Sequence, residues 1–336
     1  MTSSIKMAPP APPPPMAART IWRRALSVST IGPLAALVLA CVYFSLQTDR
    51  FLTGPNFSLI LQQVMVVGTL AVGQTLVILT AGIDLSNGAI MAFGSIVMTR
   101  FAVDGGVHPL LAIAAGIAVC GLFGAANGLL VTRVKLPPFI VTLGMLNIAY
   151  ALTHVYSDEK TVSKLPPMLT ALGRTFDLGG TRVTYGTVVA LVLFGVFAFV
   201  LGQTAWGRRV YATGNNPEAT RLTGVPTRRV LLAVYTVAGL VYGVAALLLV
   251  ARTGVGDPKA GQTENLESIT AVVLGGTSLF GGRGAVLGTL VGALIVGVFR
   301  NGLQLTGVAP IYQILITGVL VILAVAVDRI SRGRNR

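Results

Sequence analysis

Charged residues are scarce in this chain, and their scarcity argues against a soluble protein. Only 11% of the 336 residues are charged, against 54% hydrophobic residues and a mean hydropathy of +0.79. Soluble globular domains carry about 25% charged residues. Their helices also need one polar face, whereas residues 231–250 are apolar on every side. The composition therefore predicts an integral membrane protein.

Cysteine and histidine are rare as well, with two of each in the whole chain. Cys41 and Cys120 both lie in apolar runs, which is not the pattern of a disulfide framework or a metal cage. His108 and His154 are isolated from one another and give no metal-ligand spacing. We therefore expect neither a metal site nor a cofactor.

The chain also lacks the sequence patterns of an enzyme. It has no paired carboxylate in a soluble cleft and no supported Ser-His-Asp or Cys-His arrangement. Gly276 and Gly281 have the spacing of a phosphate loop, but Gly282-Arg283 follows where Lys-Ser or Lys-Thr is needed. These glycines instead predict a tight turn where helices approach closely. We expect no catalytic activity and no ATP site in this chain.

Long apolar segments dominate what is present. A membrane-spanning helix needs about 20 mostly apolar residues. Ten segments approach this length: 31–46, 59–80, 85–99, 110–132, 138–156, 183–203, 230–251, 268–280, 285–299 and 308–327. Segments 85–99, 268–280 and 285–299 are short, so they are either extended by flanking glycine and serine or are broken or re-entrant. The fold class predicted is an all-α polytopic membrane protein with about ten transmembrane helices.

The two ends of the chain differ from this apolar body. Residues 1–30 contain the run APPAPPPP, which cannot form a helix, and we predict a disordered, proline-rich, cytoplasmic N-terminus. Residues 31–328 form the predicted transmembrane domain, whose first span lacks a clear cleavage pattern and is expected to be retained. Residues 329–336 form a basic cytoplasmic tail.

Basic residues orient these segments. With a cytoplasmic N-terminus and ten crossings, sixteen of the 25 lysines and arginines fall inside and eight outside, with Arg300 near the outer end of a span. This is the positive-inside bias, which places both ends in the cytoplasm. The formal charge of +14 then reflects cationic loops beside anionic lipid headgroups, and it needs no nucleic-acid partner.

The largest predicted cytoplasmic loop, about 204–229, contains the polar stretch NNPEATRLTG. Asn216 suits a helix N-cap, and Pro217 suits the first helical position. Glu218 is favoured in the first turn by the helix dipole, and Gly224 can adopt the left-handed conformation that ends a helix. A helix of two turns is too short to be stable alone, so it is held by the rest of the chain or by a partner. The alternative is a connector lying on the membrane surface.

This stretch resembles the Glu-Ala-Ala-x-x-x-Gly loop of ABC importer permeases, with Thr220 in place of the second alanine. Three longer stretches are more specific. AVGQTLVILTAGIDLSNGAIMAFGS (71–95), NGLLVTRVKLPPFIVTLGMLNIA (127–149) and VVLGGTSLFGGRGAVLGTLVGALIVG (272–297) are similar to ribose-type sugar permeases of bacterial ABC importers. The resemblance extends from about residue 31 to residue 328.

The resemblance implies a permease subunit in the bacterial inner membrane that translocates a ribose-like pentose, a hexose or a polyol. It implies three protein partners: a cytoplasmic ATPase, a periplasmic sugar-binding protein and a second permease copy or close paralogue. It also implies a coupling helix near 216–224 that docks into the ATPase. The residues assigned to coupling are Asn216, Pro217, Glu218, Ala219, Arg221 and Gly224. The alternative is a stand-alone secondary transporter or facilitator of a small neutral solute.

Uncharged polar residues within the apolar segments are candidates for a sugar path, because amides can satisfy hydroxyl groups. The chosen candidates are Gln74, Asn127, Asn147 and Asn301, from a set that also includes Gln62, Gln63 and Gln304. Such side chains more often join helices to one another.

Acidic residues give less direct signals. Asp84 is predicted at a cytoplasmic turn, where it caps the next segment or, in a secondary transporter, relays protons. It is the one acid expected near the apolar interior, whereas Glu264 and Glu267 are expected to face water or a binding protein. The outer loop 157–183 carries mixed charge, which suits either a docking rim or a solvated loop.

Overall fold

The computed structural model describes residues 28–333, so the proline-rich residues 1–27 and the last three residues of the basic tail lie outside the described part. Every apolar segment predicted from the sequence overlaps a helix. In chain order the helices are α1 Val28–Gln47, α2 Gly54–Leu79, α3 Asn87–Val103, α4 Pro109–Leu129, α5 Pro138–Ser157, α6 Pro167–Thr170, α7 Tyr185–Gln203, α8 Ala205–Asn215, α9 Pro217–Leu222, α10 Thr227–Thr253, α11 Glu264–Leu274, α12 Val286–Leu305 and α13 Pro310–Gly333. A π-helical turn, Leu130–Val134, extends α4.

Six helices in the described part are long and apolar enough to cross a membrane: α2, α4 with its extension, α5, α7, α10 and α12. Helix α3 is apolar too but shorter, with 17 residues. Segment 285–299 was expected to be short, but α12 has 20 residues because helix continues through Arg300 to Leu305. The other two short segments are short helices, with 17 residues in α3 and 11 in α11.

Both short helices begin after a break in helical structure. Non-helical residues 80–86 precede α3, and residues 254–263 precede α11. The first turns of the two helices meet: Nδ2 of Asn87 donates to Oγ of Ser268 at 2.8 Å, and Nδ2 of Asn265 donates to the carbonyl of Leu85 at 3.3 Å. The α3 and α11 segments are therefore discontinuous helices, as their short apolar runs indicated.

The chain contains the same order of elements twice. A long helix, a break, a short helix and two further helices occur as α2–α5 and again as α10–α13. In each set the short helix packs against the two helices that follow it. Because the charge bias starts α2 on the outer side and α10 on the cytoplasmic side, the two sets are inverted relative to each other.

Helix α10 lies at the centre of the bundle and packs against α2, α3 and α4. Small residues allow the closest of these approaches: a Cβ on Gly239 would lie 3.0 Å from the Cα of Gly124 in α4. Such contacts between glycines replace the hydrophobic driving force that is absent between helices in lipid.

An antiparallel hairpin in the outer loop is an addition to the predicted all-α fold. Strands β1 Thr175–Leu178 and β2 Thr181–Thr184 pair around Gly179 and Gly180, whose φ angles are 59° and 82°. Two consecutive left-handed residues match the right-handed twist of a two-residue hairpin, and glycine adopts them without steric cost.

Sidedness can be tested at two exposed leucines, Leu222 after the cytoplasmic helices and Leu178 at the hairpin tip. We expect a membrane-impermeant thiol reagent to label Leu178→Cys in intact cells. Leu222→Cys should be labelled only after permeabilisation, because the charge bias places it inside. The unmodified chain, with its own Cys41 and Cys120, measures background labelling. Labelling of Leu222→Cys in intact cells would reverse the assigned orientation.

Candidate functional site

The loop predicted to be cytoplasmic contains two consecutive helices, α8 and α9, and the caps of α9 are those predicted. Oδ1 of Asn216 accepts a hydrogen bond from the backbone N–H of Ala219 at 2.9 Å, and Pro217 occupies the first helical position. Gly224 has φ of +84°, so the chain turns into the left-handed conformation after the helix ends. The helix itself has six residues, Pro217–Leu222.

The exposed face of α9 displays an ion pair and an apolar side chain. Nη2 of Arg221 lies 2.5 Å from Oε1 of Glu218, and both side chains are exposed. The hydrogen bond from Arg221 lowers the pKa of Glu218 below its ordinary value, so the carboxylate is charged at neutral pH. Leu222 is 75% exposed beside this pair. A partner would therefore meet a small surface that is both charged and apolar.

The opposite face of α9 is tied to α8. Oγ1 of Thr220 donates to the carbonyls of Ala212 and Asn216, with both distances 2.8 Å. Thr220 is buried, so this position needs a small side chain. Alanine, which occupies it in the Glu-Ala-Ala loop, is small as well. The chain itself thus supplies part of the support that so short a helix needs.

Helix α8 in turn sits on the cytoplasmic end of α2 and on the turn between α11 and α12. The hydroxyl of Tyr211 donates to the carbonyl of Gly284 at 2.9 Å, and the N–H of Gly282 donates to the carbonyl of Leu79 at 2.9 Å. Gly214 packs so tightly that a Cβ there would overlap the Leu79 carbonyl oxygen. The exposed face of α9 is therefore connected to the end of a transmembrane helix by direct contacts.

A second polar cluster lies at the break before α3. The carboxylate of Asp84 accepts hydrogen bonds from the Ser86 N–H at 2.8 Å, the Ser86 hydroxyl at 2.5 Å and the Tyr242 hydroxyl at 3.2 Å. Only 1% of Asp84 is exposed. Asp84 was expected at a cytoplasmic turn, whereas in the structure residues 80–86 fold back beside α2 and enclose the carboxylate.

Two of the four predicted path residues belong to this cluster. Nδ2 of Asn127 donates to the Ser86 hydroxyl at 3.0 Å. The amide of Gln74, oriented to satisfy its neighbours, donates to the Asp84 carbonyl at 3.1 Å and accepts from the Asp84 N–H at 3.3 Å. Both amides are fully buried. Gln74 thereby satisfies backbone groups that the helix break leaves without helical partners, and Asn127 satisfies the Ser86 hydroxyl.

The other two predicted path residues lie elsewhere. Asn147 is on the exposed face of α5, where its Nδ2 donates to the carbonyl of Leu143 at 3.1 Å. Asn301 is buried between α12 and α2, and its Nδ2 donates to Oδ1 of Asn56 at 2.8 Å. The sequence candidates therefore do not converge on one site.

A buried ion pair between α11 and α12 escaped the sequence analysis. Nη1 of Arg300 lies 2.8 and 2.9 Å from the two carboxylate oxygens of Glu267, which is only 6% exposed. The expectation that Glu267 faces water, and that Asp84 is the one acid near the apolar interior, was wrong. The missed signal was one charge of each sign in consecutive apolar segments, since such charges pair within a membrane bundle. In residues 28–333, no cluster of His, Cys, Asp or Glu could hold a metal ion.

A bundle of apolar helices in which the same order of elements occurs twice, with two discontinuous helices and an exposed polar helix between two spans, is typical of a multi-pass membrane permease. The chain belongs to the family described as branched-chain amino acid transport system / permease component, which matches residues 56–325.

Relatives support this assignment along the whole domain. The chain is 48% identical to the fructose import permease protein FrcC of Rhizobium meliloti, over 88% of this chain and 84% of the relative. It is 40% identical to the ribose import permease protein RbsC of Bacillus subtilis (89% and 92%) and 34% identical to the L-arabinose ABC transporter permease protein AraH of Azospirillum brasilense (92% and 90%). The predicted resemblance is confirmed. Such a permease implies an ATPase and a binding protein.

Gly214→Ala tests whether α8 is seated on α2. The added methyl group overlaps the Leu79 carbonyl, so we expect a loss of about 1–3 kcal/mol of stability, the usual cost of overpacking. The measurement is the thermal unfolding midpoint of the detergent-purified protein. Gly195→Ala in α7 is the matched control, because a Cβ there meets nothing within 4 Å. Equal midpoints for the two variants would contradict the contact.

Proposed function

We infer that the chain is the permease subunit of a bacterial ABC importer that carries a monosaccharide across the inner membrane. The observation that carries this proposal is the set of relatives, at 34–48% identity over about nine-tenths of the chain, whose names specify fructose, ribose and arabinose. The family description mentions amino acids, but these full-length relatives favour a sugar. The ion pair between Glu267 and Arg300 carries no net charge, which fits a neutral cargo.

Energy for transport comes from a separate ATPase, because the chain has no phosphate-binding motif of its own. We propose that the ATPase grips the exposed face of α9, where Glu218, Arg221 and Leu222 offer charged and apolar contacts. Movement of α9 passes to α8 through Thr220 and from there to the end of α2 at Leu79. Helix α2 then moves relative to the break at Asp84, which lies against Gln74 in the same helix.

The remaining partners are a second permease copy, a periplasmic sugar-binding protein and membrane lipid. In this proposal the translocation pore forms at the interface between the two permease copies. The outer surface that receives the binding protein includes the mixed-charge segment 158–184 and its hairpin.

Uptake by the reconstituted system tests the function. Proteoliposomes containing the permease and its ATPase should accumulate labelled ribose, fructose or arabinose only with binding protein and ATP. Asp84, buried at a discontinuous helix, is the observation that favours the second candidate, a stand-alone secondary transporter. Uptake driven by a proton gradient without the ATPase would support that candidate and refute the importer.

Gly224→Ala and Glu218→Ala test the coupling helix. A Cβ at Gly224 meets no neighbour within 4 Å, so the cost is the left-handed backbone alone, about 1–2 kcal/mol. We expect normal membrane abundance, weakened association with the ATPase and loss of uptake, with a milder defect for Glu218→Ala. The measurements are co-purification with the ATPase and stimulation of ATP hydrolysis by sugar-loaded binding protein.

Gly144→Ala is the control for this experiment, because its Cβ also meets nothing within 4 Å and its φ is not left-handed. If both coupling variants keep full association with the ATPase and full stimulation of ATP hydrolysis, α9 is only a surface connector.

Charge reversal at Lys160 and Lys164 tests the docking role of the outer segment. Both side chains are exposed, and complementary charges across an interface accelerate association. Lys160→Glu with Lys164→Glu should lower uptake at limiting binding protein and at low salt, with recovery when binding protein is in excess. The check is the initial uptake rate across a titration of binding protein. Unchanged rates at limiting binding protein would show that this segment is only solvated.

A further inference from the structure

A stripe of polar side chains runs along the outer halves of α2 and α12, on a surface that is otherwise apolar. From the outer end it contains Ser58, Gln62, Gln63, Gln304 and Arg300. Most exposed residues on the other spans are leucine, isoleucine, valine and phenylalanine, as at Leu191 and Val192 of α7, with Asn147 of α5 as an exception. Polar and ionised side chains in membrane spans face a water-filled cavity or the bundle interior and avoid lipid.

The outer end of the stripe opens into a cleft between α2 and the hairpin. The cleft has a volume of about 660 Å³ and is lined by Pro55, Ser58, Gln62, Thr175, Asp177 and Arg182. Ligand pockets for small molecules have volumes of roughly 300–1,000 Å³. Its wall is tied together by hydrogen bonds: the Ser58 hydroxyl donates to the Arg182 carbonyl at 2.5 Å, and Nε2 of Gln62 donates to the Ser58 hydroxyl at 3.1 Å.

A second, smaller cavity begins at the next residue of α2. A gap of about 10 Å³, room for roughly one water molecule, is lined by Gln63, Glu267 and Arg300 together with valine, alanine and glycine residues of α2 and α12. Nε2 of Gln63 also lies 3.4 Å from Oε1 of Gln304 on the adjacent helix. Consecutive polar residues of α2, Gln62 and Gln63, therefore line the open cleft and the small gap beside the buried ion pair, where the route is closed.

We propose that this polar stripe lines the outer half of the sugar path, and that the cleft under the hairpin is the site that first receives the monosaccharide from the binding protein. The inference rests on the proposed function and assigns it a location. Gln62 lines the outer cleft, and Glu267 and Arg300 close the inner end.

The lining matches a neutral polyhydroxylated ligand. Asp177 and Arg182 are paired across the hairpin, so an acceptor carboxylate and a donor guanidinium stand side by side. One sugar hydroxyl can donate to the Asp177 carboxylate while its neighbour accepts from the Arg182 guanidinium. The amide of Gln62 and the hydroxyls of Ser58 and Thr175 can each donate and accept hydrogen bonds. Acid and base occur in equal number at each end, Asp177 with Arg182 and Glu267 with Arg300, so the path favours no ion of either sign.

Thiol accessibility tests whether the stripe is a hydrated, sugar-occupied path. In the complete transporter, we expect an impermeant thiol reagent added from outside to modify Gln62→Cys and Gln63→Cys. The reaction should slow several-fold when sugar, binding protein and ATP are present. Val192→Cys on the apolar face of α7 is the control and should not react. Unreactive cysteines at 62 and 63, or reaction that sugar does not slow, would overturn the proposal.

Uptake kinetics give the second readout. Gln62→Leu should raise the KM for the sugar about tenfold, the effect of losing one hydrogen bond to the ligand. Binding-protein affinity should stay unchanged. Gln47→Leu, an exposed glutamine at the outer end of α1 and outside the cleft, should retain the parental KM. An unchanged KM in Gln62→Leu contradicts the receiving site, whereas failure of the unmodified transporter to import any monosaccharide refutes the proposed function itself.

Discussion

The structure depends on one constraint, that backbone polar groups freed by a helix break inside an apolar bundle must find partners within the chain. In lipid no water is available to satisfy them, and each unsatisfied group costs several kcal/mol. The two breaks solve this together. Gln74 pairs with both backbone groups of Asp84, Asn265 binds the Leu85 carbonyl, and Asn87 binds Ser268. Two residues that look like transport ligands in the sequence, Gln74 and Asn127, are therefore occupied by hydrogen bonds at the first break.

Direct packing contacts connect the loop helices to the membrane interior. Helix α9 rests on α8, and α8 rests on Leu79, the last residue of α2. Gln74 lies five residues earlier in that helix, about 7.5 Å along its axis. A displacement of α9 can therefore reach the break before α3 through only two elements, α8 and the end of α2. Glycine at 214 permits this closeness, since any side chain there would separate the two helices.

The sequence predicts the apolar helices and the caps of α9 well because both depend on local patterns. Asn216, Pro217 and Gly224 act on their own turn, so their roles can be predicted from adjacent residues alone. The pairing of Glu267 with Arg300 depends on how two helices pack, which no local pattern contains. The hairpin could have been predicted, because Gly179-Gly180 between two short β-prone stretches is a local turn signal. Only the charge of this loop entered the prediction.

Among the differences between the two inverted sets of helices is the length of the helix after the break. Helix α3 has 17 residues and α11 has 11, a difference of about 9 Å along the axis. In a protein whose halves were equal, exchanging their conformations would give two states of equal free energy, one open to each side. Unequal half-helices remove that degeneracy. Nothing in residues 28–333 therefore makes the two orientations equal in free energy before a partner binds.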